Sequence, residues 1–124
     1  MTTNTKINVP ADSLEAFVRQ VFVNAGCDPS GAADMAQCLV QTNLWGIDSH
    51  GVLRVGKYLD RLRSGAMNGT PEVRAFQSGA ALEVLDADNG SGYVAGKAAM
   101  ARALELAKEK NIAAVGIINS NHCG

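Results

Sequence analysis

Residues 81–118 read ALEVLDADNGSGYVAGKAAMARALELAKEKNIAAVGII, and the changes of pattern within this stretch decide the fold class. Residues 81–85 predict a strand, and the Asp, Asn and Gly of residues 86–90 predict a turn. Residues 92–110 carry apolar side chains at helical spacing on more than one side, which predicts a covered helix. Residues 112–118 form a continuous apolar run, typical of a strand buried on both faces of a sheet. The strand–helix–strand order predicts a crossover unit and therefore a mixed α/β fold.

The sequence before this unit predicts three helices and a loop. The first helix lies between Pro10 and Gly26, and the second begins at Pro29. The third runs from about His50 to Arg63, with the residues just before it as its N-cap. The Gly, Asn, Thr and Pro that follow predict a loop with at most a short strand before residue 81.

The C-terminal end of the sequence is unusual for such a fold. Only six residues follow the strand predicted over residues 112–118, whereas a buried strand requires neighbours on both edges and helices over both faces. We therefore expect a truncated chain. Its helical region covers residues 1–65, and residues 66–124 form the start of an α/β region whose sheet is incomplete.

The composition is that of an ordinary globular protein, with 47% hydrophobic and 19% charged residues. Because the formal net charge is only -1, we expect neither nucleic acid nor an anionic membrane as a partner. No apolar run is long enough to span a bilayer, and the polar first residues do not resemble a signal peptide. The three cysteines are widely spaced without a C-x-x-C motif, which argues against a disulfide scaffold and favours a reducing, cytoplasmic location.

The segment that enters the third predicted helix carries most of the chemically informative side chains. In a helix that begins near residue 48, His50 and Arg54 lie on one face, with Tyr58 one turn further along. The opposite face carries apolar residues that can pack into the core, namely Val52, Val55, Leu59 and Leu62. The spacing therefore predicts a polar face that presents an imidazole, a guanidinium and a phenol together.

Such a trio suits a small keto or hydroxy acid as substrate. Arg54 can hold a carboxylate in two parallel hydrogen bonds with Tyr58 beside it, and His50 can donate a proton to a carbonyl oxygen. The hydroxyl of Ser49 can orient that imidazole or relay its proton. From spacing alone, however, a solvated amphipathic helix with Asp48 or Ser49 as a simple cap is the favoured interpretation.

The residues that follow the two predicted strands are less specific. His122 lies just beyond a strand end, where ligands of α/β sheets bind, although a plain turn residue explains it equally well. Residues 90–96 have the spacing G-x-G-x-x-x-G, which differs from the dinucleotide fingerprint and favours a tight turn with close helix packing. Cys123 beside His122 is a poor candidate for a nucleophile, because adjacent side chains in an extended segment diverge. No spacing predicts a metal site.

Three of these segments together resemble the type-2 malate/L-lactate dehydrogenase family, which also contains ureidoglycolate, sulfolactate and cyclic-imine carboxylate oxidoreductases. They are GIDSHGVLR over residues 46–54, YLDRLRSG over residues 58–65 and SNHCG over residues 120–124. Residues 85–90 and 98–107 are similar to the family as well. The resemblance covers nearly the whole chain after residue 10, and the order and spacing of the segments make it specific.

The resemblance implies a fold unlike that of the Rossmann dehydrogenases, NAD or NADP as the cofactor, and a homodimer with sites near the subunit interface. It implies that Ser49 and His50 form a proton-relay pair and that Arg54 grips the carboxylate of a small substrate. His122 matches a histidine at the nicotinamide end of the site. Either histidine is a candidate proton donor, and we favour His50 as the acid.

Two departures from the family pattern bear on function. Cys123 stands where the family commonly has Phe, so packing beside the cofactor, to which Cys123 and Gly124 are neighbours, is expected to differ. Family members also continue well beyond Gly124, so we expect the isolated chain to bind NAD(P)H poorly. The predicted function is NAD(P)-dependent interconversion of a small 2-hydroxy acid and 2-keto acid, carried by an N-terminal fragment. The alternatives are an inactive remnant that serves as a dimerising or binding module, and a small hydrolase that uses His122 with Cys123.

Overall fold

The computed structural model of the protein describes residues 7–123. The helices and strands of this range are α1 Ala11–Asn24, α2 Pro29–Leu44, α3 Val55–Arg63, β1 Arg74–Ser78, β2 Leu82–Asp86, α4 Gly92–Lys110 and β3 Ala114–Ile118. The predicted mixed α/β fold, with a helical region followed by a strand–helix–strand unit, is confirmed. None of the helices in the described range combines the length and the apolar character needed to cross a membrane.

The helices α1 and α2 form the centre of the core, as their apolar spacing predicts. Asp28 caps α2 by accepting hydrogen bonds from the backbone N–H groups of Ser30 and Gly31 at 3.0 and 2.9 Å, and Pro29 occupies the first turn. The largest fully buried side chains are Phe22, Met35 and Leu39. Burial of each such side chain stabilises the fold by about 1.5–3 kcal/mol.

Two cysteines lie in or beside this core as free thiols. Burial disfavours the thiolate of Cys27, and the charge of Asp28 adds to this effect, so that the pKa of Cys27 is raised from 9.0 to about 11. The pKa of Cys38 is raised as well, first by burial and then by the charge of Asp34. Neither thiol is therefore activated as a nucleophile near neutral pH.

The start of the third helix differs from the prediction. Residues 48–54 form two short 3-10 turns, Asp48–His50 and Val52–Arg54, and α3 begins only at Val55. No side chain caps the helix there. The physical reason is that the Asp48 side chain is held by a neighbouring asparagine and that of Ser49 by the adjacent histidine, so neither is available as a cap.

The sheet has the order β1-β2-β3, with β1 antiparallel and β3 parallel to β2. The strand β1 is the short strand allowed within the predicted loop. The helix α4 makes the crossover from β2 to β3, and Ser91 caps it by accepting the N–H of Tyr93 at 3.3 Å. The predicted crossover unit is confirmed, because β2 and β3 are parallel neighbours joined by a helix.

The apolar run of β3 predicted burial on both faces of the sheet. The structure shows that β3 is not buried in this way. Every residue from Ala114 to Ile118 is exposed or only half-buried, and Ile117 is 37% exposed. The reason is that, within residues 7–123, β3 has one neighbouring strand and packs mainly against α4. An apolar run indicates that a strand is suited to burial. Within residues 7–123, other elements cover only part of the surface of β3.

Candidate active site

The turn over residues 48–54 is tied to the end of α2 by one side chain, that of Asn43. The Asn43 amide nitrogen donates to Asp48 Oδ1 at 2.6 Å, and its Oδ1 accepts the N–H of Val52 at 2.8 Å. Gly51 lies against this amide so closely that any Cβ atom would overlap it. Asn43 therefore fixes the chain on both sides of the histidine in this turn.

Three predicted site residues contact one another within the turn. Ser49 Oγ lies 2.9 Å from His50 Nδ1, and Arg54 Nε donates to the backbone oxygen of Ser49 at 2.8 Å. Arg54 Nη2 lies 3.4 Å from His50 Nε2, at the long limit of a hydrogen bond. Because Nδ1 contacts the serine hydroxyl, Nε2 is the ring nitrogen that lies beside the guanidinium.

The ring of Tyr58 is buried in the core, and Tyr58 shares with Arg54 the lining of a small cleft rather than an exposed polar face. It is only 2% exposed, and its ring packs edge-on against Phe22 and Tyr93, with centroids 6.4 and 6.0 Å away. Gly51, with φ -88 and ψ -144, is extended between the two turns, so His50 and Tyr58 do not lie on one continuous helix.

The hydroxyl of Tyr58 nevertheless reaches the second predicted histidine. Tyr58 Oη lies 3.0 Å from His122 Nδ1 and 3.4 Å from the hydroxyl of Tyr93. A phenol that is buried at its ring and hydrogen-bonded at its tip is well suited to orient an imidazole. Tyr58 therefore joins the core of the helical region to the loop that follows β3.

Asn121 fixes the position of this loop. Its amide nitrogen donates to the backbone oxygens of Asn89 at 2.9 Å and Ala66 at 3.2 Å. Its Oδ1 accepts a hydrogen bond from Arg61 Nη1 at 2.8 Å. The loop is thus held from the turn after β2 and from α3, and His122 is held at the junction.

Three of the residues that build this site were not predicted from the sequence, namely Asn43, Arg61 and Asn121. Arg61 has the helical spacing from Arg54 that places both on one face of α3, so this residue could have been found. Asn121 acts through contacts with segments that are distant in sequence, and Asn43 through contacts with the turn that follows α2; no helix or strand pattern predicts either set of contacts.

The two histidines, far apart in sequence, end with ring centroids 6.5 Å apart and planes inclined by 25°. A cleft of about 110 Å³ opens beside them, lined by Arg54, Lys57, Tyr58, Arg61 and His122. Three larger clefts in the described part of the chain are lined by neither histidine. The small cleft therefore brings the Arg54 guanidinium and the His122 imidazole together.

The glycine turn over residues 90–92 is filled by protein. A Cβ atom on Gly90 would lie 2.5 Å from Pro71 Cγ, and one on Gly92 would lie 2.6 Å from Cys123 Cβ. Close packing accounts for both glycines, as predicted. Cys123 is exposed at the end of the loop that follows β3. Gly124 lies outside the described residues.

Fold and site together define a chain in which a helical region precedes a mixed sheet and a Ser–His–Arg turn faces a second histidine. This class of protein is a known one. The sequence matches the profile of the malate/L-lactate dehydrogenase family over residues 9–124, and the chain belongs to that family. The resemblance drawn from the sequence motifs is thereby confirmed.

Several relatives support this assignment. The chain is 37% identical over 118 residues to malate dehydrogenase of Pyrococcus abyssi (strain GE5 / Orsay), covering 95% of this chain and 33% of that protein. It is 34% identical over 118 residues to ureidoglycolate dehydrogenase (NAD(+)) of Escherichia coli (strain K12), covering 95% and 34%. The structure of malate dehydrogenase from Pyrococcus horikoshii OT3 matches with a TM-score of 0.92 at 37% identity, covering 95% of this chain and 34% of that one. The chain thus spans about a third of the length of these relatives.

Proposed function

We propose that this chain carries the proton-donating and carboxylate-binding part of an NAD(P)-dependent oxidoreductase that interconverts a small 2-hydroxy acid and 2-keto acid. The observation that carries the proposal is that Arg54 and His122, from distant segments, line one cleft, and that the His50 ring lies beside both of them. The relatives named above are dehydrogenases of malate and ureidoglycolate. A third relative is L-sulfolactate dehydrogenase of Methanocaldococcus jannaschii. It is 34% identical over 113 residues, covering 91% of this chain and 33% of that protein.

In the proposed mechanism, Arg54 orients the substrate. Its Nε is engaged by the backbone oxygen of Ser49, which leaves the two Nη groups to hold a carboxylate. A carboxylate bound there places the neighbouring keto group near His50 Nε2, because Nη2 and Nε2 are 3.4 Å apart. Substrate orientation and proton donation are thereby coupled through a single contact.

His50 is the proposed acid in the direction of keto-acid reduction. The imidazolium donates its Nε2 proton to the keto oxygen as that oxygen becomes a hydroxyl. The Ser49 hydroxyl accepts a hydrogen bond from Nδ1–H of the charged ring and also of the neutral ring that remains after the Nε2 proton has left, so it fixes the ring in both states. In the oxidative direction, His50 takes the same proton back.

The described residues fit only the reactive end of a dinucleotide. The cleft of about 110 Å³ is smaller than the roughly 300–1,000 Å³ of pockets for larger ligands, and the glycine turn is filled. We assign His122 to the cofactor side because it is exposed and lines the cleft, and Cys123 because it is exposed next to His122 in sequence. When bound, reduced NAD or NADP supplies the hydride to the keto carbon, and the steps assigned to this chain are those of the proton and the carboxylate.

We further propose a homodimer in the reducing cytoplasm. Trp45, just before the Ser–His–Arg turn, and Leu53, within it, are 70% and 73% exposed. These apolar side chains support an interface beside the site. The three free cysteines support a reducing compartment.

The test uses the 124-residue protein and follows the ring C–H signals of His50 and His122 by NMR during titration with pyruvate. We expect saturable, simultaneous shifts of both rings. Arg54→Leu should weaken binding at least about tenfold, since a charged hydrogen bond is lost, whereas Arg63→Leu at the exposed end of α3 should leave it unchanged. If neither ring responds to pyruvate, the site hypothesis fails and a non-catalytic binding module becomes the better explanation.

A further inference from the structure

Three cations lie along one face of α3 and the turn before it. Arg54, Lys57 and Arg61 follow each other at spacings of three and four residues, and all three line the same cleft as His122. Residues at such spacings have Cβ atoms about 5–6 Å apart. The cleft therefore offers a row of positive charge rather than a single carboxylate ligand.

This positive charge is not neutralised by the described residues. No Asp or Glu within residues 7–123 lies within ion-pair distance of these three side chains, whereas Lys97 is paired with Asp34, and Arg102 with Glu83 and Glu105. Arg61 donates to Asn121 and Arg54 to the backbone of Ser49. The Lys57 ammonium makes no hydrogen bond or ion pair with another described side chain, so it is the cation most available to a ligand.

The proposed function, on which this inference rests, places one carboxylate at Arg54. We propose that Lys57 receives a second anionic group of the same substrate, so that the site prefers a 2-hydroxy or 2-keto dicarboxylate over a monocarboxylate. A lysine suits this task because its ammonium is a point charge on a flexible stem and can follow a group whose position varies. The small size of the cleft limits the ligand to a short acid.

The test compares L-malate with L-lactate, since malate is lactate with a carboxylate added to its methyl group. Dissociation constants are measured on the 124-residue protein from the ring signals of His50 and His122, at low and at high salt. We expect malate to bind about three- to fivefold more tightly than lactate at low salt, the size of effect that one exposed ion pair gives. The preference should shrink at high salt because exposed charges are screened.

Two variants locate the preference. Lys57→Gln keeps a polar side chain of similar reach and should weaken malate binding more than lactate binding, so that the two acids bind equally. Lys108→Gln, at the exposed end of α4, should change neither. Lys57→Arg should retain the preference, because it retains the charge.

The outcomes separate this inference from the proposed function. Equal binding of the two acids by the wild-type protein, or a preference that survives Lys57→Gln, overturns the inference and leaves the proposed function standing. If neither acid binds, both fall. If Lys57→Gln instead weakens inorganic phosphate and NADH while malate and lactate bind equally, the anion at Lys57 is a cofactor phosphate and the inference is wrong.

Discussion

Asn43→Ala should disturb the turn around His50 while leaving His50 and Arg54 themselves unchanged. The change removes the donor to Asp48 Oδ1 and the acceptor for the Val52 N–H, which are the two contacts that tie the turn around His50 to α2. The alanine methyl group cannot replace either bond. The half-buried N–H of Val52 is then left without its protein partner.

The magnitude follows from these two bonds. A hydrogen bond to a charged group contributes about 1.5–3 kcal/mol, and an unsatisfied half-buried donor costs about 1–3 kcal/mol. Because the bond to Asp48 is exposed to water, we expect it to contribute only about 1 kcal/mol, which together with about 1 kcal/mol for the unsatisfied donor gives a loss of about 2 kcal/mol. For a domain of this size, about 4 °C per kcal/mol gives a fall of about 8 °C in Tm.

The assay is thermal and urea unfolding at pH 7, with Gln37→Ala as the matched control. Gln37 lies on the exposed face of the same helix, and its replacement should change stability by less than about 0.5 kcal/mol. Asn43→Ala should also shift the NMR signals of His50, because its turn is released. A stability loss as small as that of the control, together with unchanged His50 signals, would refute the role given to Asn43.

The other predictions concern the same turn, the buried thiol and the proposed acid. Gly51→Ala should destabilise the protein by about 1–3 kcal/mol because its methyl group overlaps Asn43, whereas Gly56→Ala, in open space on α3, should be neutral or stabilise by up to about 1 kcal/mol; urea unfolding distinguishes the two. Since the folded-state pKa of Cys27 is raised to about 11, its contribution to stability is full below pH 9 and is lost as pH rises towards 11. Unfolding curves at pH 8 and 10.5 should therefore show a steeper loss for the wild-type protein than for Cys27→Ala, and parallel losses would exclude the effect. In a preparation that turns over a 2-keto acid, His50→Asn should lower kcat by about 10²–10⁴-fold and leave NAD(P)H binding intact; unchanged turnover would rule out His50 as the acid.

The helices and the crossover were predictable because each is specified by local pattern. Pro29 with Asp28 fixes the start of α2, and the apolar spacing of α1 and α2 fixes their buried faces. The apolar stripe of Val52, Val55, Leu59 and Leu62 does pack against the core, as its spacing predicts. The contact of Ser49, His50 and Arg54 was predictable for the same reason, since all three lie within one turn of chain.

The parts that could not be predicted depend on tertiary contacts. The delayed start of α3 follows from the hydrogen bonds of Asn43, which no helix-start rule includes. The burial of the Tyr58 ring follows from its packing against Phe22 and Tyr93, which are distant in sequence. The half-exposed state of β3 follows from how many elements surround it, and an apolar run in the sequence does not count its neighbours.

The most direct test of the proposed site is a crystal structure of the protein grown with oxamate, an unreactive analogue of a 2-keto acid with an amide nitrogen in place of a methyl group. We expect its carboxylate to lie about 3 Å from the Arg54 guanidinium, with the neighbouring oxygen near His50 Nε2 and on the side of His122. Oxamate bound elsewhere, or an open cleft that remains without oxamate at saturating concentration, would contradict the assignment of a 2-keto-acid site to this turn.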